Sequence, residues 1–146
     1  FRLATRIELP GAPADVFPFF ADAGNLEAIT PPFLRFRILT PRPIAMQVGT
    51  VIDYRLHLRG MPLRWRTLIT AWEPGVRFID EQIRGPYAIW RHEHLFEPGA
   101  DGTTTIVRDE VRYAMVGGRL ANRLVVARDL RRIFAHRQER VRELLG

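Results

Sequence analysis

Five times between Thr50 and Ala114 the chain alternates charged and apolar side chains with period two, and each run meets a glycine or proline turn. Successive side chains leave a strand on opposite sides, so this alternation marks strands with one wet face and one buried face. The runs cover residues 50–59, 63–72, 77–84, 87–96 and 104–114. Gly60-Met61-Pro62, Pro74-Gly75, Gly85-Pro86 and the turn from Pro98 to Gly102 join them. Connections this short join antiparallel neighbours, and the centre of the chain reads as an antiparallel meander.

The parity divides the sheet into two faces. Asp53, Arg55, His57 and Arg59 share one side of the first run, and Arg64 and Arg66 one side of the second. Arg77 and Glu81, then Arg91 and Glu93, then Arg108, Glu110 and Arg112 continue the same side. Tyr54, Trp65, Phe78, Trp90 and Phe96 occupy the other, with Asp80, Gln82, His92, His94, Asp109 and Tyr113 as its polar members. An apolar wall with a few convergent polar groups is the composition of a small-molecule pocket.

The ends of the chain complete an α+β pattern. Residues 2–9 alternate and read as an opening strand. Pro10-Gly11 breaks it, and two short helices follow over residues 12–20 and 24–29, the second stopped by Pro31-Pro32. Residues 33–39 form a further short strand, which makes seven in all. From Arg119 to Leu145 there is no proline or glycine, and Leu120, Leu124, Leu130, Phe134, Val141 and Leu144 recur near helical spacing. At ~1.5 Å per residue such a helix spans roughly 40 Å and crosses the whole sheet.

Composition narrows the function. The chain has 146 residues, the size of one domain covering 1–146. With no cysteine and no serine, disulfides, thiolate metal sites, cysteine nucleophiles and a Ser-His-Asp triad are all excluded. The lack of cysteine fits the cytoplasm, and no apolar run reaches the ~20 residues of a membrane span. The net charge is +6, but all 22 basic residues are arginine. A lysine-free chain reflects coding bias more than phosphate binding, and Asp53, Glu81, Glu93 and Glu110 balance the arginines of the charged face. No nucleic-acid partner is expected. The arginines of the last helix, Arg137 among them, read as a solvated face. The alternative is an accessory module whose arginine helix docks an acidic partner or an anionic membrane. A homodimer stays open.

The order of these pieces resembles the START-like or Bet v 1-like superfamily, SRPBCC, over essentially the whole chain. The likeness is to bacterial ligand-binding SRPBCC or polyketide cyclase/dehydrase-like proteins. It rests on Pro13-Ala14-Asp15-Val16-Phe17, Gly49, Trp65, Ile69, Gly85-Pro86-Tyr87, Trp90 to Phe96, and Asp109-Glu110-Val111-Arg112-Tyr113. It implies a helix-grip fold, a curved seven-stranded antiparallel sheet wrapped around the long C-terminal helix. It also implies a deep apolar cavity for a lipid, polyketide or aromatic ligand, and in some relatives cyclisation, dehydration or hydrolysis there.

The ligand-binding candidates are the inward residues Tyr54, Trp65, Phe78, Asp80, Gln82, Trp90, His92, His94, Asp109 and Tyr113. Three readings of His92, His94, Asp80 and Asp109 stay open. They satisfy one another as a structural network; they orient a ligand without chemistry; or they are acid–base groups of a cyclase, dehydratase or hydrolase, with a carboxylate raising the pKa of an imidazole beside it. A histidine pair two apart on a strand could chelate a metal, but needs further ligands from Asp80 or Asp109. No metal and no cofactor is assigned from the sequence.

Overall fold

The alternating runs pair into one sheet of seven strands, every pairing antiparallel. The computed structural model describes residues 1–146, apart from the side chain of Leu124. In chain order the strands are β1 (Arg2–Pro10), β2 (Arg37–Ile38), β3 (Val51–Leu58), β4 (Met61–Glu73), β5 (Arg77–Arg84), β6 (Ile89–Pro98) and β7 (Thr104–Ala114). They lie in the order β1-β7-β6-β5-β4-β3-β2. The meander therefore runs without a crossover from β2 to β7, and the first strand returns to pair with the last.

Helices α1 (Pro13–Ala21) and α2 (Asn25–Ile29) follow β1. The C-terminal helical run begins as α3 (Gly118–Ala121), widens into a π turn over Asn122–Val126 and continues as α4 (Ala127–Leu145). Among the described residues no helix is long and apolar enough to cross a membrane. The sheet bends along β4, where the pairing with β5 slips between Arg66 and Thr67 and again between Ile69 and Ala71. Bulges of this kind increase local twist and curve a sheet. The curved sheet, the short helices after β1 and the long C-terminal helix make a helix-grip fold.

Several boundaries differ from those expected. Residues 33–39 do not form one strand: Pro32–Leu34 makes a single 3-10 turn, because Pro31-Pro32 presets it, and Arg35 closes it at a φ of 45°. The first hairpin turns on Arg59-Gly60, not on Gly60-Met61-Pro62. Both turn residues have positive φ, 49° and 80°, the twist that two-residue hairpins require. Ile79 shares the parity of Arg77 and Glu81 yet is buried, where β5 meets the second β4 irregularity. On the last helix Leu130, Phe134 and Val141 are buried as expected, but Leu120 and Leu144 are exposed. Leu124 lies outside the described side chains.

The charged face is laced with ion pairs, among them Arg66–Asp53, Arg77–Glu93 and Arg2–Glu110. On the other face the core has three parts. Phe17 of α1 sits at its first centre, edge-on to Trp72, Phe78 and Phe96 with ring centroids 5.4, 6.0 and 4.9 Å away. Tyr54 and Trp65 anchor the second on β3 and β4, and Leu130 and Phe134 of α4 pack on Val111 and Tyr113 in the third. Removing a fully packed phenylalanine costs ~3–5 kcal/mol through lost transfer energy and the cavity left behind. We expect Phe17→Ala to lower unfolding stability by about that amount in urea titration, and Ala14→Ser, on the exposed side of α1, to leave it within ~0.5 kcal/mol.

Candidate functional site

Register brings the polar residues of the inner face together. Between β5 and β6, Asp80 stands opposite His92 and Phe78 opposite His94; between β6 and β7, His94 stands opposite Asp109. The strongest contacts are nevertheless diagonal. His92 Nε2 lies 2.8 Å from Asp109 Oδ1, and His94 Nε2 lies 2.7 Å from Asp80 Oδ2. The direct cross-strand distances are longer, 3.9 Å for His92 Nδ1 to Asp80 Oδ2 and 3.3 Å for His94 Nδ1 to Asp109 Oδ1. The two imidazoles stack with centroids 3.7 Å apart, and Phe78 stacks on His94 at 4.0 Å. His92, His94 and Asp109 are each only 4% exposed.

One member of this cluster escaped the sequence reading. Arg137 of α4 is not on a solvated face. Its Nη2 lies 3.6 Å from Asp109 Oδ1 and 3.5 Å from His94 Nδ1, with its side chain 12% exposed. The signal was present in the helical spacing: Leu130, Phe134, Arg137 and Val141 follow the i, i+4, i+7, i+11 rhythm of the face that packs on the sheet.

Burial and charge divide the roles of the two histidines. Burial, and then the neighbouring His94, pushes the His92 pKa down to about 4, against the pull of Asp109. Burial opposes charge on His94 too, but its bonds to Asp109 and Asp80 prevail and raise its pKa. Burial alone would raise both carboxyls. For Asp80 the His94 bond together with the charges of His92, His94 and Arg137 outweighs it, and the Arg137 charge with the bonds from His92 and His94 holds Asp109 well below the usual carboxylate range. His94 therefore holds a proton more readily than His92, and the Arg137 guanidinium stands beside the Asp109 carboxylate.

The cluster forms one end of a cavity of about 190 Å³ between the sheet, the α1–α2 pair and α4. Asp80, His92 and His94 reach it directly, and Asp109 stands behind the histidines. Tyr54, Trp65, Phe78 and Trp90 line it as well. The Trp65 indole donates to Thr67 at 2.9 Å, and burial, then Asp80, raises the Tyr54 phenol. Gln82 and Tyr113 are elsewhere. Gln82 clamps the β5–β6 turn by donating to the Tyr87 carbonyl at 2.6 Å and accepting from its N–H at 3.0 Å. The Tyr113 hydroxyl donates to Asn122 in the π turn at 2.6 Å. The rest of the wall comes partly from further inward strand residues such as Ile52 and Ile69, and partly from residues that parity along strands does not address, among them Leu26 and Ile29 of α2 and Leu130 and Ile133 of α4.

The whole chain, residues 1–146, matches the family described as polyketide cyclase / dehydrase and lipid transport, and it belongs to that family. No curated protein matches it. Solved structures of similar fold include a START superfamily protein from Mycobacterium smegmatis, 14% identical, with a TM-score of 0.67 over 98% of each chain. Another is the major latex-like protein 151 from Panax ginseng, 9% identical, with a TM-score of 0.72 over 100% of this chain and 97% of that one. A third is the Zhui aromatase/cyclase from Streptomyces sp. R1128, 13% identical, with a TM-score of 0.70 over 100% and 96%. At such identities the likeness is one of fold.

The buried histidine makes stability depend on pH with a definite sign. The unfolded chain takes up the His92 proton near the ordinary value of 6.5, the folded chain only near 4. This contribution is fully present above pH 6.5 and is lost as pH falls toward 4. At ~1.4 kcal/mol per pH unit it amounts to at most about 3 kcal/mol. His94, with its raised pKa, acts oppositely and loses its contribution as pH rises. Asp80 and Asp109, both lowered, extend the acid loss below 3.8. We expect the urea midpoint in metal-free buffer to fall between pH 6.5 and 4.5, and the fall to be smaller in His92→Asn. Equal slopes in the two proteins would contradict this assignment.

Proposed function

We propose that the chain binds a hydrophobic or amphipathic small molecule, of lipid, polyketide or aromatic type, in the cavity between the sheet and α4. The observation that carries this reading is the wall itself. Aromatic and aliphatic side chains from strands, short helices and the long helix close on a space with a single buried polar end at Asp80, His92 and His94. Apolar walls hold a ligand through area removed from water, and a few polar groups fix its orientation. The family's description spans both lipid transport and polyketide chemistry, which suits such a cavity. We further read residues 1–146 as one cytoplasmic domain that acts without nucleic acid.

A second reading, catalysis in the same cavity, is favoured by one feature. His92 is neutral at physiological pH, with Asp109 holding its Nε2 hydrogen and its Nδ1 turned to the Asp80 side. That is the arrangement of an oriented base. In this reading His92 takes a proton from a bound hydroxyl or activated carbon, and His94 supplies one. The neighbour named as an aromatase/cyclase shares the fold. Turnover of a carbonyl, ester or polyketide panel, lost in His92→Asn while binding persists, would distinguish catalysis from binding alone.

Binding is tested with 1-anilinonaphthalene-8-sulfonate, using energy transfer from Trp65 and Trp90 in the wall, and with native mass spectrometry of the purified chain for a retained molecule. Ile133 of α4 faces the cavity and is only half-buried. We expect Ile133→Trp to fill the space and weaken dye binding at least ~10-fold, at a stability cost of ~1–3 kcal/mol. Arg128→Ala, on the exposed side of the helix, leaves it unchanged. Equal affinity in Ile133→Trp and the wild type would place the dye outside this cavity and defeat the proposal.

A further inference from the structure

We propose that Asp80, His92 and His94 form a site for one divalent transition-metal ion of the zinc type, with a coordination position open to the cavity. A carboxylate and two imidazoles are a donor set suited to zinc, cobalt, nickel or iron. One nitrogen from each ring and one Asp80 oxygen lie within 4.8 Å of one another. His94 Nε2 is 2.7 Å and His92 Nδ1 3.9 Å from the same Asp80 oxygen. Ligands on a common tetrahedral zinc, with bonds of ~2.0–2.2 Å, stand roughly 3.5 Å apart, so small side-chain adjustments suffice.

The hydrogen bonding behind the site makes the same case independently. Asp109 Oδ1 lies 2.8 Å from His92 Nε2 and 3.3 Å from His94 Nδ1. An ionised carboxylate only accepts, so the closer nitrogen, His92 Nε2, carries hydrogen. The His92 lone pair then falls on Nδ1, on the Asp80 side. His94 Nδ1 stands between the Asp109 oxygen and the Arg137 guanidinium, a donor 3.5 Å away, and His94 Nε2 bonds to Asp80 at 2.7 Å. A metal ion would take the place of the hydrogen between His94 Nε2 and Asp80, which leaves to solvent as a proton. A carboxylate on the far nitrogen of a ligating histidine, as Asp109 is on His92, is the usual outer layer of such sites.

Two features limit the affinity. The rings lie 25° from parallel, so their lone pairs converge only if the rings splay. Arg137, 3.6 Å from Asp109 Oδ1, competes for the carboxylate that holds them. The inference goes beyond small-molecule binding, which needs no metal.

The test uses the chelator-stripped chain titrated with Co²⁺ and read by visible absorption, then challenged with Zn²⁺. We expect one Co²⁺ per chain, with the intense bands of a four- or five-coordinate ion, displaced by zinc, and a Tm that rises with zinc. Asp109→Asn should weaken binding ~10–100-fold; Asp80→Asn and His94→Gln should weaken it further, and Arg137→Met should strengthen it. Circular dichroism confirms that each variant is folded; if one is not, the wild-type stoichiometry and band intensity decide alone. The weak spectrum of the hydrated ion with an unmoved Tm, or equal affinity in folded Asp80→Asn and wild type, would overturn the site. Dye binding measured with chelator present tests the cavity separately, so either proposal can fail without the other.

Discussion

The Asp109 carboxylate is the constraint around which the interior is arranged. At 4% exposure it has lost its water, and a buried carboxylate without partners costs several kcal/mol. Its partners come from three elements. His92 and His94 on β6 and Arg137 on α4 gather at one oxygen, and the Thr5 hydroxyl on β1 approaches the other at 3.4 Å. Slipping any one strand by a residue would turn its member to the wet face and leave the charge unmatched. Sheet register, the rotational setting of α4 and the polar end of the cavity are therefore coupled through one side chain.

The cavity exists because the sheet does not close on the helix everywhere. Two irregularities interrupt the β4 pairing near the middle of the strand and curve the sheet there, while β1 pairs with β7 along its whole length. Phe134 holds the helix down at one side of the gap, edge-on to His92 at 5.4 Å. Asn122, in the π turn, takes the Tyr113 hydroxyl and ties the start of the helix to the end of β7. The α4 residues that face the unfilled volume, Leu130, Ile133, Phe134 and Arg137, lie at and around the Phe134 hold.

Strand parity makes much of this legible. His92, His94 and Asp109 point inward because a strand has only two faces, and the alternation of Arg91 and Glu93 tells which is which. Their partners were less visible, because parity fixes a face but not a register. Asp80 was placed beside the histidines, yet the diagonal bonds arise only from the β5–β6–β7 alignment and the stacking of the two rings. Gln82 carried the right parity but lies two residues from a glycine turn, where an amide does more by capping the Tyr87 backbone than by facing a cavity. Tyr113 is drawn off by Asn122, a partner across the glycine turn with no sequence periodicity to announce it. Arg137 was missed because a charge on an arginine-rich helix reads as solvated, although its spacing from Phe134 and Val141 puts it on the buried stripe.

The cluster is poorly suited to be only a structural device. Replacing buried ionic groups by well-packed apolar ones of similar volume is often neutral or stabilising, so a sheet that needed nothing more than cohesion at this point would be served as well by leucine and valine. The neighbouring core shows that this chain can pack such groups: Val107 and Val111 flank Asp109 on the same face of β7 and are essentially inaccessible. The polar residues also stand where the apolar wall gives way to the cavity, rather than in the packed centre under α1. Desolvated, mutually paired charges at the edge of an open volume suit a site for an incoming group, because they meet that group already held in place by one another.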